Sequence, residues 1–157
     1  MPGTQGRYLF RVTTILSGTA ILLGGLIYIF LRPGEPLFLD WARATGLGSL
    51  VDHLRPGSFD PALLPAWSVY SLPGALWAFA YSLTITGIWS GSHHPVKFLW
   101  LATIPVLVLG FELLQAPGII PGTFSILDLV FGILGAGAGF LFPAIILKST
   151  RHESRKQ

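Results

Sequence analysis

Four apolar stretches, at about residues 9–31, 66–90, 96–114 and 124–146, constrain this chain more than any other feature. Each has about the 17 to 25 residues that a helix needs to cross hydrocarbon. A helix also satisfies its own backbone hydrogen bonds there, where no water is at hand. The expected fold is therefore all-α, an integral membrane bundle of four transmembrane helices. What remains is one loop at 32–65, two short connections and a basic tail at 147–157, so residues 1–157 read as a single membrane domain. Only 11% of the side chains are charged and the mean hydropathy is +0.66, against about a quarter charged in a soluble domain.

Arg7 and Arg11 precede the first stretch, and Ser17-Gly-Thr-Ala20 looks like a small-residue cleavage site. The apolar run continues to Leu31, well beyond a signal-peptide core, and so reads as an uncleaved helix. The chain has no cysteine, which removes disulfides, thiolate nucleophiles and iron–sulfur ligation. The long loop opens on Arg32-Pro-Gly-Glu-Pro36 and closes on Arg55-Pro-Gly-Ser-Phe-Asp-Pro61. With Asp40, Arg43 and Asp52 between these marks it should not span, and it reads as an interfacial helix on the outer face or a lid over the bundle.

Basic residues set orientation. Arg7, Arg11, Lys97, Lys148, Arg151, Arg155 and Lys156 fall on one side of a four-pass layout, whereas Arg32, Arg43 and Arg55 fall on the other. Both termini are expected in the cytoplasm. Trp89 and Trp100 then lie near the inner interface and Tyr28, Phe30, Trp67 and Tyr70 near the outer one, as an aromatic belt requires.

Ionisable groups are expensive in hydrocarbon, and by default they face protein or water and mark a functional position. Glu112 and Asp128 are the two charged residues clearly inside the expected spans, both on the third-to-fourth helix hairpin. Gln115 follows Glu112 by one turn, and Thr123 and Ser125 precede Asp128, so these five are expected at one outer-leaflet level. Gly132, Gly135 and Gly139 follow Asp128 at i+4, i+7 and i+11. Small residues mark close helix packing, which points Asp128 into the bundle. Tyr70, Trp77, Tyr81 and Thr84 form one stripe of the second span, and Pro73-Gly74 should kink that helix. The stripe reads equally well as a pocket wall or as packed core.

Glu112-Leu-Leu-Gln115, then Gly122-Thr-Phe-Ser-Ile-Leu-Asp128, then Gly135 and Gly139 resembles the C-terminal signature of VanZ-like membrane proteins. The firm resemblance covers about 30 residues, and the four-helix layout matches more loosely. It implies a multi-pass protein of the bacterial cytoplasmic (inner) membrane, associated with the envelope. Two positions depart from the family pattern. The loop carries no Arg, and Gly132 stands where many members have Asn; the chain contains no Asn at all. An anion-binding Arg would have to come from the first loop, as Arg55 or Arg32.

Three function classes follow. The first is a binding site, with or without catalysis, for a lipid-linked or envelope ligand, formed by Glu112, Gln115, Thr123, Ser125, Asp128, Tyr70, Trp77 and Arg55. Two carboxyls close together at low dielectric do not both ionise cheaply, which suits one acid and one base. The second is a non-catalytic subunit of a larger membrane complex, in which the polar cluster only ties helices together. The third is proton or ion movement, although the inner halves of the spans carry no charge to continue a relay. Expected partners are membrane lipids and other membrane proteins. No cofactor, metal site or nucleic-acid contact is expected: His93-His94 lie in a tight turn without a nearby carboxylate or thiolate, and phosphate-loop and nucleic-acid motifs are absent.

Overall fold

The structure, a computed structural model, describes residues 4–33, 37–54, 63–120 and 123–154. The described residues form seven helices: α1 Thr4–Phe30, α2 Leu37–Ala44, α3 Gly48–Leu54, α4 Ala66–Tyr70, α5 Leu72–Trp89, α6 Val96–Gln115 and α7 Ile126–Ser154. Three of them contain segments long and apolar enough to cross a membrane, Gln5–Phe30, Val96–Gln115 and Ile126–Lys148. The chain is a multi-pass membrane protein by this criterion.

Four long helices pack side by side, with α5 at the centre against α1, α6 and α7. Contact pairs fix their directions. Thr13 of α1 lies beside Gly87 of α5 and Gly24 beside Trp77, so these two helices run antiparallel. Tyr81 of α5 bonds Thr103 of α6 at 2.6 Å, and Gly132 of α7 meets Val108 of α6. Along α7, Gly135 meets the backbone of Ala75 and Gly139 that of Phe79, so α5 and α7 run parallel. The start of α1, the α5–α6 turn and the end of α7 therefore share one end of the molecule.

α5 is the most enclosed of the four long helices. Pro73, Ala75, Ala80, Ser82, Leu83 and Ile85 are buried, and the Ser82 and Thr84 hydroxyls are turned onto neighbouring helices. Ser82 Oγ donates to the Ala136 carbonyl at 2.8 Å. Ser17 Oγ donates to the Ala80 carbonyl at 3.2 Å, and Thr84 Oγ1 lies 2.9 Å from Ser17 Oγ. A helix that meets protein rather than lipid on most sides tolerates such groups. On α1 the matching face is Leu9, Thr13, Ser17, Ala20 and Gly24, all buried and recurring at the helical period. α6 lies at the periphery, where only Ile104 is buried.

The glycine stripe of α7 serves packing within the chain. A Cβ on Gly135 would overlap the Ala75 carbonyl, and one on Gly139 the Phe79 carbonyl, whereas Gly137 has nothing within 4 Å. Backbone approach this close is what small residues permit between membrane helices.

Three boundaries differ from the sequence expectation. The 66–90 segment is broken at Ser71, which ends α4 and caps α5, with Pro73 in the first turn of α5. Proline has no N–H to donate and is tolerated at a helix start, so the break falls just ahead of Pro73-Gly74. The fourth segment continues to Ser154 rather than ending near 146, because no Gly or Pro interrupts Leu147 to Ser154. The first loop holds two helices, α2 and α3, which pack on each other. Their turn has the hydrogen bonds Gly46 N–H to Arg43 O at 3.1 Å and Leu47 N–H to Ala42 O at 2.7 Å, the double closure that puts a left-handed glycine after a helix. Gly46 takes φ +79°.

Candidate functional site

The α6–α7 hairpin is closed by local signals. At the end of α6, Gly118 N–H donates to Gln115 O at 2.9 Å and Ile119 N–H to Leu114 O at 3.0 Å. Gly118 adopts φ +75°, the glycine stop seen after α2. At the start of α7, Ser125 Oγ accepts from the Asp128 N–H at 3.3 Å, as an N-cap serine does. The Ser125 N–H in turn donates to Glu112 Oε2 at 3.1 Å. Glu112 thus reaches from the last turn of α6 to one of the open donors at the head of α7.

Beside this junction lies a half-open cavity of about 400 Å³ between α1, α5, α6 and α7, at the end of the bundle opposite the α5–α6 turn. Glu112, Asp128 and Gly132 form one part of its wall, and Leu107, Val108 and Phe111 of α6 extend it with apolar surface. From α4 comes Tyr70, from α5 Trp77 and Tyr81, and from α1 and its exit Tyr28 and Arg32. The Arg32 guanidinium lies 5.0 Å from the Tyr28 ring centroid and 5.7 Å from that of Tyr70. Tyr28 and Trp77 rings meet at 5.5 Å, and the Trp77 indole N–H points to the Ile21 carbonyl at 3.4 Å.

Asp128 stands differently from Glu112. Its Oδ1 is buried and accepts no hydrogen bond from the described residues. A buried acceptor without a partner is uncommon in proteins and calls for an explanation.

Among the residues singled out from the sequence, Glu112, Asp128, Tyr70 and Trp77 line the cavity, and Ser125 joins it through the cap. Gln115 and Thr123 do not line it: Gln115 lies one turn beyond Glu112 at the helix stop, and Thr123 is exposed. The expected single cluster is therefore narrower, with Glu112, Ser125 and Asp128 brought together. Arg55 lies outside the described residues. Thr84 leaves the stripe for α1, whereas Tyr81 stays in the cavity wall. Sequence reasoning placed Tyr28 in the interfacial belt and kept Arg32 only as a conditional donor. The usable signal was the small-residue face of α1, since Tyr28 follows Gly24 by one turn and so faces α5.

Comparison with family models, with curated proteins and with solved structures returns no match.

Proposed function

We propose that this chain is a VanZ-like integral membrane protein of the bacterial envelope that holds the polar end of a lipid-linked or envelope ligand in the cavity beside Glu112 and Asp128. The family reading rests on the Glu112-x-x-Gln115, Asp128 and glycine pattern. The binding reading rests on one observation: two carboxyls, Arg32 and five aromatic rings meet in a half-open cavity, which Leu107, Val108 and Phe111 of α6 extend with apolar surface below Glu112. Ligand sites are concave, mostly apolar and furnished with a few placed polar groups. A polar head fits the furnished end while a lipid tail follows Leu107 and Phe111.

In this reading α5 is a fourth pass. With α4 it covers Ala66 to Trp89, enough for about 30 Å of hydrocarbon at 1.5 Å per residue. The end carrying Arg7, Arg11, Lys97 and Lys148 is cytoplasmic by the positive-inside rule, which sets both termini inside and the cavity in the outer leaflet.

The alternative is a structural subunit of a larger membrane complex, favoured by α6, which buries only Ile104 within the chain. Native mass spectrometry of the chain purified in mild detergent tests both. A monomer or homodimer carrying a defined lipid supports binding; a stoichiometric protein partner with no retained lipid supports the subunit.

A further inference from the structure

We infer that the headgroup held by this cavity carries an ammonium group, as in an ethanolamine or choline phospholipid. The inference rests on the binding reading above and narrows its ligand.

The aromatic lining comes first. Tyr28, Tyr70, Trp77 and Tyr81 share one cavity. The Trp77 N–H is directed at Ile21 O and the Tyr81 hydroxyl at Thr103, so these two side chains offer ring surface more than donors. Ring faces are electronegative and attract cations, ammonium groups in particular. The Arg32 guanidinium over Tyr28 and Tyr70 shows that the site already holds a cation against its rings.

The acceptors point the same way. Glu112 gives one oxygen to the Ser125 N–H, and Asp128 lines the cavity with its Oδ1 buried and without a donor among the described residues, so that a ligand meets this carboxyl through its charge. A positively charged ligand group matches a carboxyl better than a neutral hydroxyl does, because opposite charges attract strongly where water is partly excluded. The lining holds two carboxyls against one guanidinium. The ammonium of a zwitterion meets opposite charge beside either ionised carboxyl, whereas a headgroup with negative charge alone has Arg32 as its one cationic partner in the lining.

The same ammonium chemistry can arrive on a phospholipid or as a free amine, and one experiment separates the sources. The full chain is reconstituted in lipid nanodiscs containing equal parts of phosphatidylethanolamine, phosphatidylglycerol and a glycosyl diacylglycerol, and retained lipids are identified by native mass spectrometry. Phosphatidylethanolamine should be enriched about fivefold over phosphatidylglycerol. The ratio should fall below about twofold in Asp128→Asn and in Trp77→Leu, each checked for unchanged helicity by circular dichroism. Should Asp128→Asn not fold, Tyr70→Leu at the cavity mouth replaces it. In discs of phosphatidylglycerol alone, binding of added ethanolamine or choline assigns the site to a free amine and keeps the ammonium inference. Preferential retention of phosphatidylglycerol or the glycolipid, lost in Trp77→Leu, overturns the ammonium inference and leaves the cavity as a binding site. Retention that no cavity variant changes, or no retained lipid, overturns both.

Discussion

Glu112 of α6 accepts the Ser125 N–H at the head of α7 at 3.1 Å, which is the bond that an acid three residues after an N-cap serine ordinarily makes. Ser125-Ile-Leu-Asp128 has the spacing of a capping box, and Asp128 holds the reciprocal position. Because Glu112 occupies that donor from another helix, Asp128 is released from capping. One carboxyl fastens the hairpin and the other faces the cavity wall.

The division of roles predicts opposite sensitivities. Glu112→Ala removes an acceptor from a helix N-terminus and should cost about 1–2 kcal/mol, read as a lower unfolding midpoint in detergent. Glu112→Gln keeps an acceptor oxygen and should recover at least half of that loss.

Asp128→Asn should change the same midpoint by less than about 1 kcal/mol, the size of the helix-dipole interaction it gives up, since its Oδ1 makes no bond to lose. A loss as large as that of Glu112→Ala would show Asp128 to be structural, and would remove it from the ligand site.

Much of this was legible in the sequence for physical reasons. Hydrocarbon thickness makes span length readable for the first, third and fourth apolar stretches, and the fixed helical period made Gly135 and Gly139 readable as a packing face. The expense of a buried charge singled out Glu112 and Asp128. Their separate roles were not legible, because the donor that decides between them, the Ser125 N–H, is claimed by a residue 13 positions away. Arg32 was hidden for a related reason: its place over Tyr28 and Tyr70 depends on where α1 ends relative to α4, which no periodicity encodes. The Ser82 and Thr84 hydroxyls of α5 likewise find partners on α7 and α1 through tertiary enclosure, which is visible only once α1, α6 and α7 surround that helix.

Glycine substitutions along α7 should separate by face. Gly135→Ala and Gly139→Ala drive a methyl into the backbone of α5 and should each destabilise by about 1–3 kcal/mol or displace the helix. Gly137→Ala meets nothing within 4 Å and should be neutral or stabilising by up to about 1 kcal/mol. Titration with a denaturing detergent, followed by helicity, ranks the three.

The Ser17–Thr84 contact joins α1 to α5 at 2.9 Å. Thr84→Ala should cost about 0.6 kcal/mol, the usual worth of an interhelical hydrogen bond in a membrane, and Ser17→Ala up to about twice that, because Ser17 also donates to the Ala80 carbonyl. The double variant should cost less than the two single losses added together, because both remove the same bond. Strict additivity in the same unfolding assay would assign Thr84 to its own-helix carbonyl at Ala80, which it also approaches at 2.8 Å.

Topology can be tested on a clean background, since the chain has no cysteine. Ser92 lies in the α5–α6 turn and Ala116 directly follows α6, and both are accessible enough to label. If α5 is a fourth pass and the basic end is cytoplasmic, a membrane-impermeant maleimide applied to intact cells should label Ala116→Cys and leave Ser92→Cys untouched until the membrane is permeabilised. The reverse pattern would invert the orientation of α6. Labelling of both from outside would mean that α6 does not cross. The pair alone does not report on α5, so a cysteine at Thr45 completes the set. Thr45 follows α2 in the loop between α1 and α4 and should label together with Ala116→Cys. Only if α5 crosses can Thr45 and Ser92 be separated by the membrane.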